Sequence, residues 1–379
     1  MGPGPSNCDP SVLRAMSQPL LGHLDPDFLE IMDETQDLLR GVMKTANRLT
    51  FPVSGTGSAG METCLCNLIE PGDSVLVCIN GVFGTRMADI VGRLNGELHA
   101  IEAEWGKPFD SEDVASAVQQ TNPKVVTIVH AETSTGVLQP LEEISRIVHE
   151  AGALLLVDAV TSLGGCPVET DEWGIDAVYS GTQKCLSCPP GLAPISFSTR
   201  ALDTLESRAT KVPSWYLDMS MVKNYWGSER SYHHTAPISM IYALNQALKV
   251  VLEEGLEARF ERHRLNHRAL VAGIEAMGLS MLVDEEYRLP MLNAVQIPDG
   301  VDDSVVRQTL LRDYNIEIGG GLGPLAGQVW RIGLMGSSST RQNVIRLLGA
   351  LEDILAAEGA DVVPEGIDAA EEVYAETTA

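Results

Sequence analysis

The chain has 379 residues, of which 44% are hydrophobic, and this composition excludes wholesale disorder. A chain of this length can bury a large core without disulfides or a structural metal. Aspartate and glutamate number 52 against 26 lysine and arginine, a formal net charge of −26. This charge argues against nucleic acid and against an anionic membrane surface as partners, because both attract basic proteins. The acidic surface fits either an ordinary soluble enzyme or adaptation to salt.

The sequence also indicates a compartment. It contains no run of about 20 apolar residues that could cross a membrane. The first ten residues have neither the basic nor the apolar region of a secretory signal. Seven cysteines, an odd number in apolar surroundings, favour reduced thiols. We therefore expect a cytoplasmic protein.

The first motif in chain order is a glycine-rich turn at 54–60, which matches the pattern GxGxxG. A dinucleotide site needs an acidic residue at the end of the following strand, but the predicted strand 74–79 ends in Asn80. A phosphate cradle remains, in which free backbone N–H groups and the hydroxyls of Thr56 and Ser58 converge on one anion. The alternative is an ordinary capped helix start.

Three short apolar runs, at 74–79, 125–130 and 153–158, predict buried strands. Helical stretches such as 84–95 and 141–151 lie between them. This alternation predicts an α/β domain with a doubly wound parallel sheet. Ligands in such domains bind at the carboxyl ends of the strands, so residues that follow a strand are candidates for chemistry.

Asp158 is such a candidate, because it ends the most apolar of these runs. A carboxylate there is costly unless it is paired or hydrogen-bonded. It could bind a metal, although the following residues 159–162 supply no ligand at metal spacing. It could also cap a turn. We favour the third possibility, a carboxylate that partners a cationic ring nitrogen.

Lys184 closes the segment 180–184, which follows the apolar stretch 175–179. Most lysines lie at solvated surfaces, but a lysine in a dry pocket has a lowered pKa and forms Schiff bases. A phosphate cradle, a carboxylate and a lysine at strand ends together fit pyridoxal 5′-phosphate.

Beyond residue 240 the pattern changes. Residues 238–276 predict one long helix, followed by strands at 292–297 and 328–334 and a helix at 340–357. The sequence therefore predicts a smaller α+β domain. We divide the chain into an N-terminal arm (1–15), a large domain (16–255), a small domain (256–359) and an acidic tail (360–379) that we expect to be disordered.

Several motifs together make the chain resemble the class V, fold-type I aminotransferases, within them the alanine–glyoxylate and serine–pyruvate group. The resemblance extends from Pro3 to about Leu355 and implies a large domain with a mainly parallel seven-stranded sheet and a smaller C-terminal α+β domain. The matching stretches are 3–7, 54–57, 132–140, 156–165, 180–184, 232–235 and 331–333.

The resemblance also implies a role for individual residues. Lys184 would form the Schiff base and move the substrate proton, and Asp158 would pair with the pyridine nitrogen. Arg331 would bind the substrate carboxylate, with Gly4 beside it. The remaining cofactor contacts would be Thr56, Gly57 and Ser58 at the phosphate, Gln183 beside Lys184, Phe83 on the ring, Thr133 at the ring hydroxyl, and Tyr232 and Thr235 across a homodimer interface.

The implied activity is ping-pong transamination of alanine or serine with glyoxylate or pyruvate. Ureidoglycine–glyoxylate, 3-hydroxykynurenine and aspartate transamination are alternatives on the same fold, and a non-catalytic cofactor-binding module is a further one. We expect no metal. Cys185 and Cys188 have redox or zinc spacing without a second pair. The His233–His234 pair could bind a metal, but we favour a dimer contact.

Overall fold

A computed structural model describes residues 1–376 of the chain. The helices are α1 (Pro10–Met16), α2 (Pro26–Met43), α3 (Gly57–Leu68), α4 (Val82–Arg93), α5 (Ser111–Thr121), α6 (Glu142–Glu150), α7 (Thr199–Glu206), α8 (Met219–Trp226), α9 (Ile238–Glu254), α10 (Leu256–Ala276), α11 (Asp303–Tyr314), α12 (Arg341–Ala357) and α13 (Gly366–Glu376). The strands are β1 (Leu49–Ser54), β2 (Ser74–Ile79), β3 (Glu97–Glu102), β4 (Val125–Val129), β5 (Ala131–Glu132), β6 (Val137–Leu138), β7 (Leu154–Asp158), β8 (Ala177–Tyr179), β9 (Leu192–Phe197), β10 (Leu292–Gln296), β11 (Gly319–Gly320) and β12 (Val329–Gly333).

The large sheet has seven strands in the order β1-β9-β8-β7-β4-β2-β3. The pairs from β8 through β7, β4 and β2 to β3 are parallel, whereas β9 runs antiparallel to both β8 and β1. β1 and β8 therefore point the same way, although they are not neighbours. The predicted mainly parallel seven-stranded sheet is confirmed. β4 and β7 are buried throughout, because helices cover both faces of the sheet.

A second core lies in the C-terminal part of the chain, where β10, β12 and β11 form an antiparallel sheet. The apolar residues of the first core run from Val12 to Val251, and those of the second from Ala269 to Tyr374. The single helix predicted over 238–276 is wrong. Gly255 has φ of +83°, a conformation that favours glycine, and it separates α9 from α10.

The predicted disorder of residues 360–379 is also wrong for most of that segment. Residues 366–376 form α13, on which Ala370 and Tyr374 are buried in the second core. The Tyr374 hydroxyl donates a hydrogen bond to Oδ1 of Asn266 at 2.7 Å. Acidic residues dominate the composition of this segment, but Ala370 and Tyr374 form an apolar stripe at helical spacing. Residues 377–379 lie outside the described residues.

Replacing Tyr374 by alanine tests whether α13 is part of the small-domain core. We expect the free energy of unfolding to fall by about 3 kcal/mol, because a large buried side chain and its hydrogen bond are removed. Chemical denaturation measures the change. Glu372→Ala is the matched control, since Glu372 is exposed on the same helix. Equal stability of the two variants would contradict this assignment of α13.

No helix within residues 1–376 is long and apolar enough to span a membrane.

Candidate active site

Five chain segments that follow strands meet at one edge of the large sheet. They leave β1, β2, β4, β7 and β8, whose carboxyl ends share this edge. Residues far apart in the sequence are thereby brought together. The side chains that these segments carry are Thr56 and Ser58, Phe83, Glu132 and Thr133, Asp158, and Gln183 and Lys184.

Asp158 is the last residue of β7 and is only 2% exposed. Its Oδ2 accepts a hydrogen bond from the Tyr179 hydroxyl at 2.7 Å, and its Oδ1 accepts one from the Val160 N–H at 2.8 Å. Burial raises the pKa of this carboxyl to about 6. No cationic side chain within residues 1–376 lies within 4 Å of it. Asp158 is therefore a buried acid held by neutral donors, with its charge uncompensated by direct contact.

Lys184 follows β8 in a buried turn, and its side chain donates a hydrogen bond to the carbonyl of Pro3. Burial lowers the pKa of its ammonium group to about 8. The charges of Asp158 and Arg331 both act on it, in opposite directions. With this pKa about one tenth of Lys184 is a neutral amine at pH 7, far more than for a solvated lysine, and the neutral amine is the nucleophilic and basic form.

The N-terminal arm covers this lysine. Ser6 donates through its N–H to the carbonyl of Gln183 at 2.7 Å and through its Oγ to the carbonyl of Lys184 at 2.6 Å. Gly4 has φ of +102°, and a Cβ at this position would lie 2.6 Å from Nζ of Lys184. The positive φ favours glycine here, and a side chain at this position would have to displace the lysine.

The glycine-rich turn leads from β1 into α3. Thr56 is the N-cap residue of α3, and its side chain makes no capping hydrogen bond. Gly57 packs closely against the lysine segment, since a Cβ on it would lie 3.6 Å from Cα of Gly181. The N-terminus of α3 is therefore next to the lysine segment, with its first N–H groups available for an anion.

Phe83 lies in the first turn of α4, which begins after β2. Its N–H donates to Oε2 of Glu132 at 3.2 Å, while the Val82 N–H donates to Oγ of Ser134 at 3.0 Å. Glu132 and Ser134 thus cap a helix whose own N-cap residue, Gly81, has no side chain. A Cβ at Gly81 would lie 2.3 Å from Cδ of Glu132.

The role of Glu132 could not be predicted from the sequence, although the stretch 132–140 carries part of the family resemblance. The side chain is fully buried, and burial raises the pKa of its carboxyl to about 7. Its Oε1 also accepts from the N–H and Oγ of Ser134. The signal that the sequence offered was an acidic residue just after the predicted buried strand 125–130, where a charge is costly unless it has a function.

Arg331, on β12 of the small sheet, reaches the same edge. Its Nη1 donates to the carbonyl of Thr133 at 3.1 Å, and its Nε donates to the carbonyl of Gly320 at 2.7 Å. Arg331 is 8% exposed and makes no ion pair with any residue of 1–376. A buried guanidinium without a carboxylate partner is suited to bind one from a ligand.

Four further predicted residues have different surroundings. Thr133 is buried, with its Oγ1 3.3 Å from Oγ1 of Thr161. Tyr232 and Thr235 are exposed, with 3.4 Å between their hydroxyl oxygens. They do not join the buried cluster within this chain. Gln183 lies at the cluster, and its Oε1 is buried without a hydrogen-bond partner.

The two cysteines with redox or zinc spacing are both buried. Cys185 and Cys188 are free thiols, and burial raises the pKa of each, that of Cys185 to about 11. Thiols of this kind are weak nucleophiles. Residues 1–376 contain no group of three or more His, Cys, Asp or Glu side chains placed to hold a metal ion.

Comparison with known proteins identifies the class to which this fold and site belong. Residues 4–345 match the family model described as aminotransferase class-V. The chain is 44% identical to (S)-ureidoglycine–glyoxylate transaminase from Bacillus subtilis, over 99% of this chain and 94% of that protein. It is 43% identical to alanine–glyoxylate aminotransferase from Drosophila melanogaster, over 94% and 91%. The crystal structure of alanine–glyoxylate aminotransferase from Nostoc sp. superposes with a TM-score of 0.93 at 52% identity, covering 94% of each chain.

The chain belongs to the class-V aminotransferases. It is an enzyme of transamination, as the motifs predicted, and it has the fold that this resemblance implied. The names of these two relatives share glyoxylate and differ in the other compound, ureidoglycine or alanine.

Proposed function

We propose that this protein uses pyridoxal 5′-phosphate to transfer the amino group of a small amino acid to glyoxylate or pyruvate. The observation that carries the proposal is the meeting of Lys184, Asp158 and Arg331 in one buried cluster. The charges of Asp158 and Arg331 both act on the Lys184 amine. A nucleophilic amine, a buried acid and an unpaired guanidinium are the three groups that amino-acid chemistry on this cofactor requires.

The residues present fit the cofactor. Asp158 has only neutral hydrogen-bond donors, so a protonated ring nitrogen would supply the cation that it lacks. The orphaned Oε1 of Gln183 points to a missing polar partner. Thr56, Gly57 and Ser58 offer N–H and hydroxyl donors to a phosphate at the start of α3. When bound, pyridoxal phosphate supplies a ring that withdraws electrons from the substrate Cα.

Within this proposal each residue of the chain has a defined task. Lys184 would hold the cofactor covalently through Nζ, and the freed Nζ would take the proton from the substrate Cα. Asp158 would keep the ring nitrogen protonated. Phe83, fixed by Glu132, would lie on the ring, and the hydroxyl of Thr133 would approach its oxygen substituent.

Arg331 would bind the substrate carboxylate through its guanidinium. Its charge acts on the Lys184 amine, so the substrate would be held beside the reacting group. One cation favours substrates with one carboxylate, such as alanine, serine, glyoxylate and pyruvate. Gly4 would keep the space beside Lys184 open for them.

We also propose a cytoplasmic homodimer in which Tyr232 and Thr235 contact the cofactor phosphate of the partner subunit. The 57% exposure of Tyr232 supports this, as do the exposed rings of Trp215 and Tyr216 nearby in the fold. A second copy of the chain would cover these aromatic side chains.

A second donor, ureidoglycine, is favoured by one specific observation. The Bacillus subtilis relative that carries this substrate in its name matches 99% of this chain. Alanine and ureidoglycine each present one carboxylate to Arg331, so binding by Arg331 does not distinguish between these two donors. Aspartate as the donor has weaker support, because the similar aspartate aminotransferase from Thermus thermophilus is only 30% identical to this chain.

An absorbance titration of the cofactor-loaded protein tests the proposal. Single amino acids are added without any keto acid, and we expect alanine, serine or ureidoglycine to convert the bound cofactor to its pyridoxamine form. Glyoxylate should then restore the original spectrum. Conversion by aspartate alone would overturn the proposed donor class. A protein that binds no pyridoxal phosphate when it is added would overturn the whole proposal.

A further inference from the structure

Arg86 connects the glycine-rich turn with the aromatic residue of the site, and neither sequence motif includes it. It lies on α4, one turn after Phe83. Its Nη1 donates a hydrogen bond to Oγ of Ser58 at 3.1 Å. Its Cζ lies 4.9 Å from the centroid of the Phe83 ring, within cation–π distance. One side chain thus contacts the residue proposed to bind phosphate and the residue proposed to cover the ring.

The charge of Arg86 has no carboxylate partner. Within residues 1–376 no acidic oxygen lies within 4 Å of its guanidinium. Arg93, on the same helix, instead pairs with Asp89 at 2.7 Å. Ser58 takes one of the five N–H donors of Arg86, so others are available to an anion.

The donors that Thr56, Gly57 and Ser58 offer at the start of α3 are all neutral. A phosphate monoester carries close to two negative charges at neutral pH. Neutral donors and a helix N-terminus compensate only part of such a charge. A guanidinium presents parallel N–H groups that match two phosphate oxygens, and the Phe83 ring would hold this fork in place.

We infer that Arg86 is the cationic phosphate-binding residue of this site, and that it makes the enzyme select the phosphorylated cofactor over its unphosphorylated form. The inference rests on the proposed function. In this inference Arg86 recognises the phosphate group of the cofactor, whereas Phe83 and Asp158 recognise its ring. Removal of Arg86 should therefore weaken binding of only those ligands that carry phosphate.

The test uses two amine ligands, pyridoxamine 5′-phosphate and pyridoxamine, which cannot attach covalently to Lys184. Their dissociation constants are measured by calorimetry on the cofactor-free, full-length protein. We expect Arg86→Gln to weaken pyridoxamine 5′-phosphate binding about 10- to 100-fold, the range for a lost charge-assisted hydrogen bond. Pyridoxamine binding should stay within about twofold, as expected for a ligand without the group that Arg86 contacts.

Two further variants sharpen the experiment. Arg93→Gln removes one positive charge from the same helix and should leave both constants unchanged. Arg86→Lys retains the charge without the fork, so it should lose less affinity for the phosphorylated ligand than Arg86→Gln.

Two results would overturn the inference. If Arg86→Gln weakened both ligands equally, the arginine would act through Phe83 on the ring. If it changed neither constant, Arg86 would have no part in binding. Failure of the proposed function is distinguishable, because the wild-type protein itself would then fail to bind pyridoxamine 5′-phosphate.

Discussion

Replacing Lys184 by alanine should abolish transamination, with kcat reduced at least about 10³-fold. The variant lacks the amine that would hold the cofactor and the base that would move the substrate proton. No other lysine of residues 1–376 is placed to take over, because four of the remaining six pair with carboxylates elsewhere and Lys44 and Lys211 are exposed. Steady-state assays with alanine and glyoxylate measure the loss.

Lys211→Ala is the matched control for this variant, since Lys211 is exposed on the large domain. Circular dichroism of both variants checks that the fold is retained. Turnover by Lys184→Ala at the wild-type rate would show that the reacting amine lies elsewhere.

The lowered pKa of Lys184 adds a pH dependence to the same prediction. Only the neutral amine attacks an aldehyde, and the pKa of about 8 sets its population. The rate at which cofactor-free protein takes up pyridoxal phosphate should thus rise with pH up to about 8 and then level off. For a solvated lysine, with its pKa of 10.5, the rise would continue to higher pH.

Local patterns were sufficient to predict much of this molecule. The apolar run before Asp158 and the turn before the second strand placed β7 and β2 to within a residue. Strand ends are also where chemistry is expected in such sheets, so Asp158 and Lys184 could be selected without a structure.

Contacts between distant segments could not be predicted in this way. Glu132 caps the helix that begins near Gly81, about 50 residues earlier, because β2 and β4 are neighbours in the sheet. Arg86 reaches Ser58 because α3 and α4 lie side by side. Neither pairing leaves a periodic signal in one segment. Strand order determines both, and it is a property of the whole chain.

The helices, too, could be predicted only in part from the sequence. The break at Gly255 depends on a positive φ that a helical pattern does not reveal, although the glycine itself was visible. α13 was missed because its acids dominate the composition of the tail, while its buried face rests on only a few residues such as Ala370 and Tyr374. Packing against α10 and α12 outweighs the unfavourable charge.

Replacing Asp158 by asparagine should lower the activity and raise the stability of the cofactor-free protein. Transamination should fall about 10²- to 10³-fold, because the neutral amide cannot stabilise a protonated ring nitrogen. The kcat for alanine and glyoxylate measures this effect. Asp203→Asn, an exposed substitution on α7, is the control.

The stability of the cofactor-free protein should change in the opposite direction. Burial raises the pKa of Asp158 from its usual 3.8 to about 6, so the folded state binds its proton more tightly than the unfolded state. Wild-type stability therefore falls as pH rises through this window, and the cost is complete above about pH 6. Asparagine carries no charge and avoids that cost.

Asp158→Asn should be more stable than wild type by about 3 kcal/mol at pH 8 and by about half as much at pH 5. Denaturant titrations at both pH values measure the difference, and a variant less stable than wild type at pH 8 would show that the ionised carboxylate stabilises the empty site. The predicted gain has a functional meaning, because a carboxylate that destabilises the empty protein is available to bind the cofactor's cation.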